Sequence, residues 1–580
     1  MTCLQEPTKP PHAKHAPSEP LWRSTLLLVL LASTAIVLPM LFHGNIEGHD
    51  FSFHMDSWMD VRGQWREGIL FPRWAEWANW GFGEPRFIFY PPLSWMIGAA
   101  LGSLLPWRMA PGAYIWITLI IAGLSMWRFA REVLPSRYAN LAAVLYAANP
   151  YHLVMVYYRS AFSELLAAAL LPLLFWASIR VIGGEWRQVP TLAVVLAGIW
   201  LSNLPAAVIA TYGLAVALAT GCFFKRSPQP LVLGLSALAG GFALACFYVL
   251  PAAWERPWVQ IEQGIWVEFT FKNFLFSRSN DPNFHRAFNA KVSWVAIGLV
   301  VAAGLAAFLA RKKRAKILKP WWILLVLGLV STVMMLSPSE WLWRELPKLA
   351  FVQFPWRWLD ILDVAFAFFV AVAMAGLGGR TARWVTTIAV FVAIGMAGVA
   401  MLRDAPWNPV AVSDIARSIE VGRGYEGTDE YAPVGCDRKQ LPGNPDNSER
   451  PADVPSEPAP PIAELNPDSG NIVPATGVQL DIQVWRSTRR VFTAASGQPV
   501  TLAPRLVNYP AWDLAVNGRS AQFGVRPITG QIQVPLAPGS SQIEIRFRQT
   551  RDRSAGNVIS SIAAVTLGVL AWTCASRGRL

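Results

Sequence analysis

The fold class this sequence predicts is a mainly α-helical, polytopic transmembrane bundle carrying a β-rich domain near its C-terminus, and three observations predict it. Hydrophobic residues make up 53% of the 580 against 15% charged, a balance far from that of soluble proteins. Apolar runs without Asp, Glu, Lys or Arg recur at Ser24–Phe42, Leu231–Leu250, Val292–Ala310 and Trp321–Leu336, and most approach the ~20 residues that span hydrocarbon. Alternating apolar and polar segments separated by Gly, Asn and Pro turns fill the region from Val478 to Phe547, as short strands do. The 28 Trp and 44 Pro fit a membrane chain, since Trp favours the headgroup belt and membrane helices tolerate Pro.

Residues 1–21 read as a tail and 22–42 as the first transmembrane helix. The apolar run from Leu26 exceeds a usual signal core and no small-x-small cleavage site follows it, so an uncleaved anchor is expected. The segment Arg311–Lys319, RKKRAKILK, holds six basic residues and no acid, which places it in the cytoplasm. That phase puts Arg128–Arg137, Glu185–Arg187, Lys225–Arg226 and Arg380–Arg383 inside. Tyr157–Glu164, Ser202–Pro205, Trp254–Ala290, Ser337–Arg357 and the long segment from Arg403 fall outside. Pro91–Pro106 is short and proline-bounded, as a re-entrant or surface helix would be, and about twelve crossings with both termini cytoplasmic result.

Between the first helix and the bundle at 91–402, residues 43–90 form an aromatic loop with Trp58, Trp65, Trp74, Trp77 and Trp80, expected as short amphipathic helices against the membrane surface. The segment 403–556 contains a Pro-, Asp-, Glu- and Gly-rich stretch near 433–470, expected as a disordered part or a linker. Strands follow at Val478–Val484, Arg490–Ala494, Val500–Leu506, Trp512–Val516, Gln531–Leu536 and Gln542–Phe547, enough for a small β-sandwich. Residues 557–580 supply a last transmembrane helix and a cytoplasmic tail.

The formal charge of +13 does not point to nucleic acid, because Lys and Arg sit in short runs between apolar segments, where they act as topology signals. The five Cys show no paired or metal-type spacing, so no disulfide framework is implied. The chain has no GxxxxGKS/T loop, dinucleotide glycine fingerprint, HExxH or GxSxG, and ATP-driven transport has no support within it.

Polar clusters gather instead on the outer face. GHDFSFHMD places His49, Asp50, His54 and Asp56 just beyond the first helix. Such carboxylates and imidazoles suit a divalent metal ion. A carboxylate in a partly desolvated groove equally suits a general base, and a solvated loop with interfacial histidines is the plain alternative. YYRSAFSE offers Arg159 and Glu164 at a helix entry, a functional pair or a local ion pair. Glu255 and Arg256 follow Trp254, and FVQFPWRWLD offers Arg357, either a phosphate ligand or an interfacial anchor.

The runs HDFSFHMD through GILFPRWAEWANWGFGEPRFIFYPPLSW, LYAANPYHLVMVYYRSAFSELLA, FYVLPAAWERPWVQIE and FVQFPWRWL, with YPAWDLAVNG further on, resemble the bacterial 6-pyruvoyl-tetrahydropterin synthase-related membrane proteins over most of residues 25–575. Pterin synthesis itself is not expected. The soluble enzyme holds zinc with histidines, and this chain has 7 His, with His12 and His15 in its tail. A long first outer loop with an early acid and a second outer acid is similar to the GT-C superfamily of polyprenyl-phosphate-dependent glycosyltransferases. By that resemblance Asp50 is the first-loop acid and Glu164 the second, although Glu in RSAFSE stands where Asp is usual. It implies sugar transfer from a polyprenyl-phosphate donor to an extracytoplasmic glycan or polymer acceptor, at a bacterial inner membrane. Asp50 and Glu164 would be catalytic. Arg159, Arg357, His54, Glu255 and Arg256 would bind substrate, and His49, Asp50 and Asp56 would hold the metal ion if one takes part. Two other functions compete: a non-catalytic membrane protein binding lipid-linked glycan or an envelope partner, and a secondary transporter, for which the SNLP break at Ser202–Pro205 is a hint.

Overall fold

The computed structural model describes residues 21–265, 270–277, 285–311, 318–444, 460–466 and 472–576. Most of the N-terminal tail, most of the basic loop at 311–319, part of the linker and the tail beyond 576 lie outside the described residues. Among the described residues, eight helices are long and apolar enough to cross a membrane. There are up to ten if the bent pairs Gln229–Leu244 with Cys246–Trp254 (77°) and Pro320–Met334 with Ser337–Glu345 (92°) each count as one span. Two segments separate this figure from the expected number of about twelve, because neither is a continuous helix of the ~20 residues a span requires. The stretch after Ser136 breaks into Ser136–Ala147, Pro150–Val154 and a widened turn at Met155–Arg159, and Val189–Ser202 has 14 residues. The apolar helix Pro92–Leu104 is likewise short, with 13 residues.

Phe162–Gly183 and Pro355–Gly376 form the middle of the bundle, with 83% and 89% of their spans buried inside the protein. Both are apolar along most of their length, as an enclosed helix requires, with Glu164, Arg357, Asp360 and Asp363 gathered towards one end. Arg380–Asp404 and Arg551–Thr573, at 11% each, lie on the periphery. Arg180 bonds both Glu132 (3.0 Å) and Glu185 (2.6 Å) at one end of Phe162–Gly183, leaving Glu164 at the other.

The expected strands all form, joined by further short ones, in two five-stranded antiparallel sheets. One runs in the order Gly524–Val525, Ile532–Leu536, Val500–Pro504, Ile462–Leu465, Ile472–Val473. The other runs Val478–Arg486, Arg489–Ser496, Gly539–Phe547, Trp512–Val516, Arg519–Ala521. Leu502, Val534, Phe492, Ile543 and Ile545 fill the space between them, the alternation of a sandwich. Residues 433–444 of the Pro-rich stretch pack against this domain, with Cys436 and Leu441 buried.

The first loop differs from its expectation. It carries one long helix, Phe51–Arg66, and its tryptophans are turned into protein: Trp58 and Trp74 are fully buried and Trp80 nearly so. Trp74 joins the sandwich core against Trp512 and Tyr509, so burial between two protein layers replaces a membrane surface. The segment following Arg380–Asp404 returns to this loop. Trp407–Asn408 pairs antiparallel with Asn45–Ile46, Trp80 and Trp77 exchange backbone bonds with Tyr425, and the Tyr425 hydroxyl donates to Asp60 at 2.8 Å. Gly427 has no room for a side chain: a Cβ there would stand 2.0 Å from Asn79 Oδ1.

Glu255 ties three parts together. Both its oxygens bond Arg553 at the start of the last helix (2.6 and 2.7 Å), and it accepts from Tyr509 of the sandwich (2.5 Å). All three are buried, and removing one member of such a pair leaves an uncompensated buried charge. Arg553→Met should lower stability by about 3–5 kcal/mol. Adding Glu255→Leu should recover most of that loss, with thermal unfolding in detergent as the measurement.

Candidate functional site

A cavity of about 900 Å³ opens where the first loop, the 429–431 segment and the ends of several bundle helices meet. Asp50, Arg159, Glu164 and Arg357 line it together, so three of the four polar clusters singled out in the sequence meet here and the Glu255–Arg256 cluster does not. Three helices begin at its wall: Phe162–Gly183, Leu204–Lys225 and Leu359–Gly376. Helix N-termini carry unpaired N–H groups and positive partial charge, a setting that favours anions.

Arg159 reaches the cavity because the chain is distorted before it. A widened turn at Met155–Arg159 ends at Ser160, whose φ is +52°, and Phe162–Gly183 starts two residues later. The first loop is clamped to this corner. The Asp50 N–H donates to the Arg159 carbonyl (2.8 Å), and the Ser160 hydroxyl donates to the Ile46 carbonyl (2.8 Å). A Cβ on Gly48 would stand 2.6 Å from the Arg159 carbonyl carbon, so only glycine permits this approach.

Glu164 sits at the centre. One oxygen accepts from Tyr151 (2.5 Å), and the other accepts from Arg159 (2.7 Å) and lies 3.2 Å from Arg357 Nε. The Arg357 contact is an ion pair without aligned hydrogen-bond geometry; that guanidinium donates instead to the Val352 carbonyl (2.8 Å) and Gln353 (3.2 Å). Glu164 is 1% exposed and Arg159 4%. The Arg159 guanidinium also lies 4.9 Å from the Trp356 ring centre. Asp50 differs in kind. It meets Arg159 at 3.3 Å through one oxygen, and its side chain is 41% exposed to the cavity. Around them Ser163 accepts from Tyr90 and Asn203, both at 2.9 Å.

The remaining expected residues are placed elsewhere. His49 lines the cavity against Phe288, with ring centres 4.8 Å apart. His54 is buried behind the wall against Phe162, and burial lowers its pKa to about 4 although Asp50 acts in the opposite sense. Asp56 turns away towards Arg86, Asp60 and Glu84, and burial raises its pKa to about 8. His49, Asp50 and Asp56 are therefore not gathered as one ligand set, and among the described residues no three of His, Cys, Asp and Glu converge to hold a metal. Glu255 is committed to Arg553, and Arg256 pairs with Glu262 at the surface; neither lines the cavity.

Several lining groups were not anticipated. Asn203 lies in the SNLP break and was within reach of the sequence; so was Tyr151, in the same run as Arg159 and Glu164, which is buried behind Glu164 rather than in the lining. Asp429, Glu430 and Tyr431 come from a segment with no local motif, and only the fold brings them to the wall. Below the cavity, Asp360 and Asp363 are buried on Leu359–Gly376, and neither carboxylate has a hydrogen-bond partner among the described residues.

The family described as "6-pyruvoyl-tetrahydropterin synthase related domain; membrane protein" matches residues 87–405. The chain belongs to this family. The match takes in Arg159, Glu164, Asn203 and Arg357, starts after Asp50 and ends before the sandwich. No curated protein matches this family member. Among solved structures it is similar to the arabinofuranosyltransferase AftD from Mycobacteria, at TM-score 0.46 and 13% identity, over 91% of this chain and 40% of that one. It is also similar to the Archaeoglobus fulgidus oligosaccharyltransferase in its apo form, at TM-score 0.41 and 14% identity, over 67% of this chain and 57% of that one. The archaeal enzyme is also known in complex with an inhibitory peptide and a dolichol-phosphate, matching at TM-score 0.39 and 13% identity over 70% of this chain and 56% of that one. The chain thus spans less than two thirds of the length of each.

The titrations beside the site give opposite pH slopes. Asp56 stays neutral up to about pH 8 in the folded protein but ionises near ~4 when unfolded, so it removes stability as pH rises across that window. His54, depressed to about 4, contributes stability that is full above ~6.5 and lost as pH falls. Asp56→Asn should therefore raise the unfolding temperature at pH 8 by more than at pH 5. An equal gain at both would mean that Asp56 is ionised in the fold.

Proposed function

We propose that this protein is a membrane glycosyltransferase of the GT-C kind, moving a sugar from a polyprenyl-phosphate carrier to an extracytoplasmic acceptor. The observation that carries this is the division of labour between the two carboxylates. Glu164 is buried and fully engaged in holding Arg159 and Arg357, whereas Asp50 is accessible from the cavity and touches only one of those cations.

In this reading the acceptor hydroxyl attacks the anomeric carbon, the bond from that carbon to the phosphate oxygen breaks, and the hydroxyl proton passes to Asp50 as general base. The polyprenyl phosphate leaves with the bonding electron pair. Its added negative charge is met by Arg159 and Arg357 and by the helix N-termini, fixed before the reaction begins. Glu164 is a positioning residue acting through both guanidiniums. The cavity lies at the ends of membrane helices, where a carrier's phosphate can sit while its chain stays in lipid. Among the described residues no metal ligand set is assembled, and no step is routed through one.

The competing function, non-catalytic binding of a lipid-linked glycan, would use the same arginines and differs in needing no base at Asp50. The test is transfer from radiolabelled polyprenyl-phosphate sugars to an extracted envelope pool by the full chain in bilayer. Asp50→Asn should keep donor binding and lose transfer by about 10²–10⁴-fold. Glu164→Gln should weaken donor binding as well, because it releases both arginines. Transfer undiminished in Asp50→Asn would remove the assigned base, and donor binding without transfer by the wild type would establish the binding function instead.

A further inference from the structure

Next to the large cavity lies a second one of about 490 Å³, within the ~300–1,000 Å³ typical of small-molecule sites. Gln263 and Asp429 line both, so these two side chains form the partition between them. The rest of its polar lining is Gln260, Asp437, Arg438 and Lys439.

This second cavity is held by backbone rather than by loose side chains. The Gln260 N–H donates to Ala432 (3.0 Å), the Val434 N–H to Trp258 (3.0 Å), and the Asp437 N–H to Ile528 of the sandwich (2.6 Å). The Gln260 side chain donates to the Cys436 carbonyl at 2.7 Å. Three chain segments are thereby fixed around one space, which reduces the ordering a ligand must impose.

Its chemistry selects a class of ligand. Asp429 and Asp437 balance Arg438 and Lys439, and Arg438 is further paired with Glu426 at 2.8 Å, so the lining offers no excess charge to hold an ion. Closely spaced amides, carboxylates and cationic donors instead suit a neutral molecule dense in hydroxyl groups. We infer that this cavity is the acceptor subsite, binding two or three neutral sugar units so that a terminal hydroxyl passes the Gln263–Asp429 partition towards Asp50. Naming the ligand as the acceptor rests on the transfer function proposed above; the binding of a neutral glycan does not.

The test is equilibrium binding of maltotriose, mannotriose and arabinotriose to the full chain in nanodiscs, by calorimetry. At least one should bind the wild type. Ile528→Trp, which fills the cavity from the sandwich side, and Gln263→Ala should each weaken that binding by about ten-fold or more, while Asp50→Asn should bind as the wild type does. Absence of binding by all three sugars overturns the inference, as does binding that neither Ile528→Trp nor Gln263→Ala changes. Trisaccharide binding without any glycosyl transfer would overturn the proposed function and leave the subsite standing. Transfer by Ile528→Trp with an unaltered acceptor KM would do the reverse.

Discussion

A single buried carboxylate holds the polar end of this bundle together. Glu164 stands in the first turn of one of the two most enclosed helices and gathers Tyr151, Arg159 and Arg357, which come from three separate turns of chain. A charge this deep is tolerated only when paired and hydrogen-bonded. Satisfying it fixes the widened turn before Arg159, and that turn fixes the first loop through the Asp50 N–H bond to the Arg159 carbonyl and the Ser160 hydroxyl bond to the Ile46 carbonyl. The accessible carboxylate is thus placed by the inaccessible one.

Around that centre the protein is built by interlocking rather than by stacking separate modules. Trp74, Phe82, Ile88 and Phe89 of the first loop belong to the same apolar cluster as the sandwich core. The fully buried Glu84–Arg86 pair accepts the Thr428 N–H at 3.0 Å from the chain that leads into the sandwich. Arg86 lies over the Phe53 and Tyr425 rings at 4.4 and 5.1 Å. A loop rich in aromatic residues and carrying a few charges can be buried in this way because many of its rings, Phe53, Trp58, Phe71 and Trp74 among them, meet another ring or a cation.

What the sequence made legible follows from how local each signal is. Charge-free runs and alternating strands depend on neighbouring residues, so the bundle and the strands from Val478 to Phe547 were readable. The basic loops assigned Asp50, Arg159, Glu164, Glu255 and Arg357 alike to one face, but only the fold decides that Glu255 stays apart while the other four line one cavity. The break at Asn149–Pro150 carries a local turn signal, but the turn at Met155–Arg159 does not, and the expectation of about twelve crossings took the whole stretch as one span. The tryptophans of the first loop have the composition of an interfacial segment, and nothing nearby in sequence announces the sandwich that covers them. Glu255 looked like a site residue because it is an acid beside a helix end; its partner Arg553 lies 298 residues away.

The pairing of Asn45–Ile46 with Trp407–Asn408, and the wall contributed by Asp429–Tyr431, also set a timetable. Chains emerge from the ribosome N-terminus first, at about 5–20 residues per second. The stretch bearing Asp50 is therefore exposed for as long as the bundle takes to be made, with neither its strand partner nor the last side of its chamber yet in existence. The cavity closes only after roughly three quarters of the polypeptide has been translated, and a truncated product can reach the lipid without ever acquiring its last wall.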